Sequence, residues 1–262
     1  MKLLKDENKT SKKFWNDIWH HIPFRNYSGL EKYMAINQKL DNFFQQYLKE
    51  NSKKNLKILE IGCGRGKKLI YFAKKMDCTI YGVDYSKEGV ELAKKNLKLA
   101  GVEGTVLHEN IFSSSLEVES FDFVYSLGLI EHFDEPSDII KAHINFLNKD
   151  GLLFISIPNF ENSLYSHLMN DEHYKNIIET HNTKIMNKKA LNHLFNLDCL
   201  DIIKIDYFGP VDLSFLLGNI NSKYLLFFMH FINQLIGYIT FYLPSSRFFS
   251  PYLIVLAQKR VI

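Results

Sequence analysis

Three groups of residues have types and spacings that could do chemistry. The first is Glu60-Ile61-Gly62-Cys63-Gly64-Arg65-Gly66, a glycine-rich junction behind an apolar run and ahead of a helical pattern. Glycines at such a junction let the backbone turn tightly and approach a ligand that a Cβ would hold off. The helix start behind them offers unpaired N–H groups to an anionic or polar group. The second is Asp84, eighteen residues past Gly66 at the end of the next apolar run. A carboxylate there can accept hydrogen bonds from both hydroxyls of a ribose. Loop and acid together point to an adenosine-containing cofactor in a crevice at the end of a sheet. The third group is a pair of histidines, His132 in Glu131-His132 and His181 in Glu179-Thr180-His181-Asn182. Each is a candidate general base, and the carboxylate beside His132 is expected to raise its pKa toward the working range.

Three cofactor classes compete for the glycine loop. A dinucleotide fingerprint, G-x-G-x-x-G, would need its last glycine at position 67, where Lys67 stands. A phosphate loop, G-x-x-x-x-G-K-[ST], would need one more residue between Gly62 and Gly66 and a hydroxyl where Lys68 stands. What remains is E-x-G-x-G-x-G, which closely resembles the first motif of the class I S-adenosylmethionine-dependent methyltransferases. The later signposts of that family follow in order. Asp84 sits at the ribose-binding acid, and Asn110, in His108-Glu109-Asn110-Ile111, stands where an Asp usually contacts the adenine amino group. Ser120 to Tyr125 resembles the fourth strand, Gly128 to Phe133 the loop after it, and Leu147 to Asn159 the fifth strand with its lead-in turn.

The resemblance implies a seven-stranded Rossmann-like α/β sheet, mostly parallel with the last strand antiparallel. It implies S-adenosyl-L-methionine as cofactor and methyl transfer as the reaction. The cofactor contacts it assigns are Glu60, Gly62, Cys63, Gly64, Gly66, Asp84, Tyr85, Asn110, Ile111, Ser126 and Leu127. It places His132 beside the reacting methyl group and His181 in the segment that caps the site. In the ubiquinone-pathway O-methyltransferases a similar loop carries a further Glu, associated with a divalent metal, where Gly128 stands here. Without that carboxylate no metal is expected.

The elements that must position these residues can be read from periodicity. Leu40, Phe43, Phe44, Tyr47 and Leu48 mark one face of a helix before Asn51. Strands are predicted at 56–61, 79–84, 104–108, 121–126, 152–157, 200–208 and 251–257, with helices between the early ones. Ser86 suits the N-cap of the helix behind Asp84. The alternation calls for crossover connections and a sheet covered on both faces. Residues 1–51 form an N-terminal helical segment or lid, 52–210 the cofactor-binding core, 211–249 an aromatic helical insertion, and 250–262 the final core strand. Trp15, Trp19, Tyr27 and Tyr33 are candidates for an aromatic lid, with Arg25 a candidate partner for a carboxylate.

Composition sets the outer bounds. The chain has 262 residues, is 46% hydrophobic and 23% charged, and carries a net charge of +3. That is ordinary for a globular protein and too weakly basic to demand nucleic acid. No N-P-P-[YF] motif of the DNA amino-methylating enzymes follows the fourth strand, where Ser126-Leu127-Gly128-Leu129 stands. The three cysteines, Cys63, Cys78 and Cys199, form no C-x-x-C pair, and charges interrupt the apolar residues of the first fifteen positions. Both features fit a cytoplasmic setting better than a secreted one.

The insertion stands apart from this pattern. No Asp, Glu, Lys or Arg occurs between Lys223 and Arg247, and residues 207–252 hold 13 of the 37 aromatic residues. His230, Asn233, Gln234 and Gly237 share one helical line, so a helix buried on most sides with one polar stripe is expected. It would serve as a wall of the substrate pocket, a homodimer interface or a peripheral membrane patch, in a protein that is cytoplasmic or membrane-associated. The expected function is methyl transfer to a small-molecule acceptor, an oxygen on a lipophilic or glycan-type substrate. The alternatives are a catalytically silent scaffold of the same fold and a nicotinamide oxidoreductase.

Overall fold

The computed structural model describes residues 9–21, 35–49, 54–161, 163–169, 178–214 and 223–260. Seven strands form one sheet: β1 (Leu56–Ile61), β2 (Cys78–Asp84), β3 (Thr105–His108), β4 (Phe121–Leu127), β5 (Leu147–Pro158), β6 (Leu200–Phe208) and β7 (Tyr252–Lys259). Their order across the sheet is β3-β2-β1-β4-β5-β7-β6. β7 runs antiparallel to both neighbours, β5 and β6, while the other pairs are parallel. The order reverses between β1 and β4, and a crevice opens at the carboxyl ends of strands where that happens.

The helices are α1 (Lys12–His21), α2 (Ala35–Lys49), α3 (Lys67–Lys75), α4 (Lys87–Ala100), α5 (Pro136–Phe146), α6 (Leu164–Leu168), α7 (Lys188–Leu194) and α8 (Lys223–Phe241). α4 shows why this sequence is a helix. Ser86 accepts a hydrogen bond from the Gly89 amide at its start, Glu88 sits in the first turn, and Gly101 turns left-handed at its end.

Strand alternation sends successive side chains into opposite layers. Phe123 and Tyr125 join the layer that holds Phe43, Phe44 and Phe72 of α2 and α3. Val124 joins the opposite layer with Ile139, Phe195 and Val255. α2 therefore packs as a core helix, whereas α1 lies over the crevice.

Two details depart from the sequence expectation. β5 begins at Leu147, five residues early, because Leu147 pairs with Phe121 and Leu152 with Phe123, leaving residues 148–151 bulged between them. The second departure concerns the insertion. α8 is not buried on most sides. Asn233 and Gly237 of the polar line are buried against the protein while His230 is exposed, and large apolar side chains such as Phe228, Phe231 and Ile239 face out. The reason is hydrogen bonding: Asn233 Oδ1 accepts from the Leu213 amide at 2.7 Å, and Thr240 Oγ1 accepts from the Val211 amide at 2.9 Å. Those amides would otherwise be buried without partners. Asn159, fully buried, donates to the carbonyls of Arg247 and Ser250 and so brings the chain back to β7.

Candidate active site

The glycine loop leaves β1 and curls over the end of β2. Gly62 and Cys63 both donate to the Val83 carbonyl, at 2.8 and 3.2 Å. Gly64 has a φ of +47°, and a Cβ there would stand 2.6 Å from the Trp19 ring, so the position needs glycine on both counts. Asp84 ties the loop to α4: Oδ2 accepts from the Gly64 amide and Oδ1 from the Ser86 amide, each at 2.8 Å. Burial raises its pKa, and those amides pull the other way.

The crevice beside this loop encloses about 70 Å³. Of the sequence-assigned contacts, Gly62, Asp84, Tyr85, Asn110 and Ile111 line it. The Asn110 side-chain carbonyl already accepts from the Phe112 amide at 3.1 Å, so one lone pair is left for an adenine amino group. The other assigned residues are not on the crevice wall. Glu60 accepts from the Tyr125 hydroxyl at 3.0 Å and is pushed up to about 8 by burial. Cys63 is buried against the position of Gly82, and a Cβ on Gly66 would meet Ala93 and Leu97. Ser126 is fully buried and Leu127 half-buried in β4. Trp15, Glu109 and Thr10 also line the crevice, and sequence spacing gave no sign of the last two.

α1 lies across the crevice. Trp15 meets the His132 ring edge-on at 5.0 Å and stacks on Trp19 at 6.1 Å. Ser86 Oγ donates to Asn16 Oδ1 at 2.7 Å, and Trp15 Nε1 donates to Thr10 Oγ1 at 2.9 Å. Arg25, Tyr27 and Tyr33 lie outside the described residues.

His132 and His181 are 49 positions apart in sequence, yet their ring centroids are 4.6 Å apart. Backbone hydrogen bonds explain the meeting. The Asn182 amide donates to the Glu131 carbonyl at 2.6 Å, and Asn182 Nδ2 donates to the carbonyls of Phe133 and Asp134. His132 Nδ1 donates to the Thr180 carbonyl at 2.8 Å. A carbonyl can only accept, so the proton sits on Nδ1 and Nε2 carries the lone pair.

The pKa of His132 is depressed to about 4, opposite to the sequence expectation. Burial is the main cause, His181 adds to it, and the Thr180 carbonyl offsets part. Glu131 does not supply the expected anion, because burial lifts its own pKa to about 8. It is 1% exposed, and its carboxyl oxygens have no hydrogen-bond partner among the described residues. At neutral pH the neighbours are thus a neutral acid and a neutral base. One donor atom from each of Glu131, His132 and His181 lies within 4.8 Å of the others, so the trio could also hold a cation.

Beyond the histidines is a second cavity, of about 200 Å³. Pro158, Phe160, Tyr165, Met169 and Ile178 give it an apolar wall, with His181 and Asp212 among its few polar groups. His132 lines the crevice and His181 lines this cavity, so the imidazole pair forms the partition between them.

A family described as a methyltransferase domain matches residues 52–198. The ubiquinone biosynthesis O-methyltransferase of Pelagibacter ubique is 24% identical over 154 residues, 58% of this chain and 62% of that protein. The chain thus spans less than two thirds of that relative's length. Among solved structures, the plantazolicin methyltransferase BpumL in complex with S-adenosylhomocysteine is 17% identical, with a TM-score of 0.61 over 95% of each chain. The [4+2]-cyclase SpnF is 14% identical, with a TM-score of 0.57 over 86% of this chain and 83% of that one. Such likenesses speak to the fold, and the chemistry of this chain has to be argued from its own residues.

Proposed function

The chain belongs to the class I S-adenosylmethionine-dependent methyltransferases, and from that premise we propose that it methylates an acidic hydroxyl on a lipophilic small molecule. The observation that carries this reading is the shared wall: one histidine faces the cofactor crevice and the histidine beside it, its ring tilted by 52°, faces the apolar cavity. When bound, the cofactor supplies a sulfonium methyl group as electrophile. Asp84 fits it, with two oxygens at the crevice and lone pairs left for ribose hydroxyls. Asn110 offers the adenine acceptor, and Gly62 lets the chain pass close by.

The protein's own part is alignment and proton removal. Alignment of acceptor and donor can contribute roughly 7–11 kcal/mol of barrier reduction. His132 Nε2 takes the acceptor proton, adding about 10²–10⁴-fold in rate. An imidazole of depressed pKa deprotonates a phenolic hydroxyl far more readily than an aliphatic one, which favours the phenolic class. The apolar lining of the cavity favours a lipophilic body over a glycan. Glu131, held neutral by burial, adds no negative charge beside the histidines, and the proposed proton transfer uses no metal.

Isothermal titration with S-adenosylmethionine, S-adenosylhomocysteine and NADH in parallel tests the premise for this chain. The expected result is micromolar binding of the first two and none of NADH. Binding of NADH alone would overturn it, and binding of none would support a silent scaffold. Transfer of labelled methyl to lipophilic phenols then tests the acceptor class. Turnover that survives a chelator separates proton transfer at the trio from a cation held there.

A further inference from the structure

α8 is amphipathic in the wrong sense for a helix of a lone globular chain. Asn233 is buried and bonded to the Leu213 amide and to Asp212, Gly237 packs against Ala35, and Thr240 bonds the Val211 amide. The opposite side carries Tyr224, Phe228, Phe231, Leu235, Ile239 and Tyr242, all exposed, with Tyr224 at 91% and Tyr242 at 86%. These positions recur every three or four residues along the whole helix, so they make one continuous apolar ridge. An apolar surface of that extent marks an interaction site.

The chemistry of the ridge and its ends selects the occupant. Residues 224–246 contain no Asp, Glu, Lys or Arg. Paired helices normally use charges beside the seam to fix register and partner, and none is present here. A basic group at the C-terminal end of α8 is Lys39, which donates to the Phe241 carbonyl at 2.9 Å and sits 5.2 Å over the Phe241 ring. Burial lowers the pKa of Lys39, and the nearby Lys204 ammonium lowers it further. An anionic surface would attract the Lys39 and Lys204 ammonium groups at that end. Tyrosines occur at both ends of the ridge and suit a boundary that is wet on one side and oily on the other. No helix among the described residues is long and apolar enough to cross a membrane.

We propose that α8 seats the chain on a lipid bilayer, its outward ridge lying in the plane between headgroups and acyl chains and its polar line bolted to the protein. α8 is about 28 Å long and is bonded to the protein through Asn233 and Thr240, so the ridge lies flat rather than inserting end-on. Asp212 bonds Asn233 on one side and lines the apolar cavity on the other, so the seat adjoins the cavity. That adjacency would hold a lipophilic acceptor near its source, a corollary that rests on the proposed function. The seat itself does not.

Flotation of the full chain with vesicles tests the seat, using phosphatidylcholine alone and phosphatidylcholine mixed with phosphatidylglycerol. The wild type is expected to float with both, more strongly with the anionic mixture at low salt. Replacing Phe228 and Phe231 together by serine should weaken partitioning about a hundredfold, roughly tenfold for each ring withdrawn from the apolar phase. Both side chains are exposed, so an unchanged melting temperature shows that the variant is folded. A wild type that stays at the bottom of the gradient with both vesicles would overturn the proposal. So would adsorption to anionic vesicles alone that salt abolishes and the serine variant retains. Sedimentation velocity covers the other occupant: a dimer that the same substitutions dissociate, without lipid binding, assigns the ridge to a second copy. Cofactor titration reads the catalytic premise separately, so failure of one is distinguishable from failure of the other.

Discussion

α1 and α8 are both helices rich in aromatic residues, and they use them in opposite directions. α1 turns Trp15 and Trp19 inward, one against His132 and the other against Gly64. α8 turns Asn233 and Thr240 inward and its rings outward. Aromatic content alone does not distinguish the two. What distinguishes them is where each helix finds its hydrogen-bond partners, because a buried amide must be paired and a buried ring need only be covered. The rings of α1 are covered by this chain, so its partner is the reaction site. The rings on the outer side of α8 are exposed among the described residues, and the proposed partner lies outside the chain.

The inward assignment breaks most visibly at His132. Replacing His132 by alanine removes both the proposed base and the surface on which Trp15 rests. Turnover should fall about 10²–10⁴-fold while S-adenosylhomocysteine binds with nearly unchanged affinity. Equal losses in binding and in turnover, read by titration and by initial rates, would reduce His132 to a packing residue.

A second test reads the same pocket through pH. Glu60 and Glu131 are raised to about 8 in the folded chain by burial, so folding holds their protons. The stability they contribute is complete below about pH 4.5 and is lost as pH rises through 8. His132 and His143 are lowered to about 4 by burial. Their contribution is complete above about pH 6.5 and is lost as pH falls through 4. Between about pH 4.5 and 6.5 the two slopes oppose each other, giving a broad maximum with a decline on either side. Each group has a limiting slope of about 1.4 kcal/mol per pH unit. Urea midpoints across pH 4–9 should show this shape, and Glu131→Gln should roughly halve the decline between about pH 6.5 and 8. An unchanged decline would mean that Glu131 is ionised in the native chain.

The sheet and glycine loop were legible in the sequence because each rests on local rules. Strand runs such as Leu56–Ile61 are bounded by turn residues, and Ser86 caps α4 through a bond three residues away. The meeting of His132 and His181 was not legible. It depends on Thr180 and Asn182 reaching across to the loop after β4, and no spacing rule links positions 48 or more residues apart. The pKa of His132 was misjudged for a related reason. The adjacent glutamate suggested an anion, but burial of Glu131, with no hydrogen-bond partner for its carboxyl among the described residues, keeps it neutral. Of the expected polar line of α8 only Asn233 and Gly237 are buried, and the direction that side takes was not legible because its partners at Val211 and Leu213 lie at least twenty residues away.

The outward assignment can be sharpened by two substitutions on opposite sides of α8. Asn233→Leu leaves the Leu213 amide without its acceptor and removes the bond to Asp212. The expected cost is about 1–3 kcal/mol, seen as a lower urea midpoint in the absence of lipid.

Phe231→Ser, on the other side, is the smallest effect and the more telling one. Phe231 is exposed in the chain alone, so serine should change stability by no more than about 0.5 kcal/mol. A ring that packed inside this chain would cost several times that on truncation. If Phe231→Ser proved the more damaging of the two in lipid-free solution, the ridge would be covered within the chain or by another copy of it. The contrast between α1 and α8 would then be one of degree. A near-zero effect alongside a clear cost for Asn233→Leu leaves the polar side as the one that holds α8 to the protein. The apolar side then contributes nothing to folding in water, and a surface kept apolar without a folding role calls for a partner outside the chain.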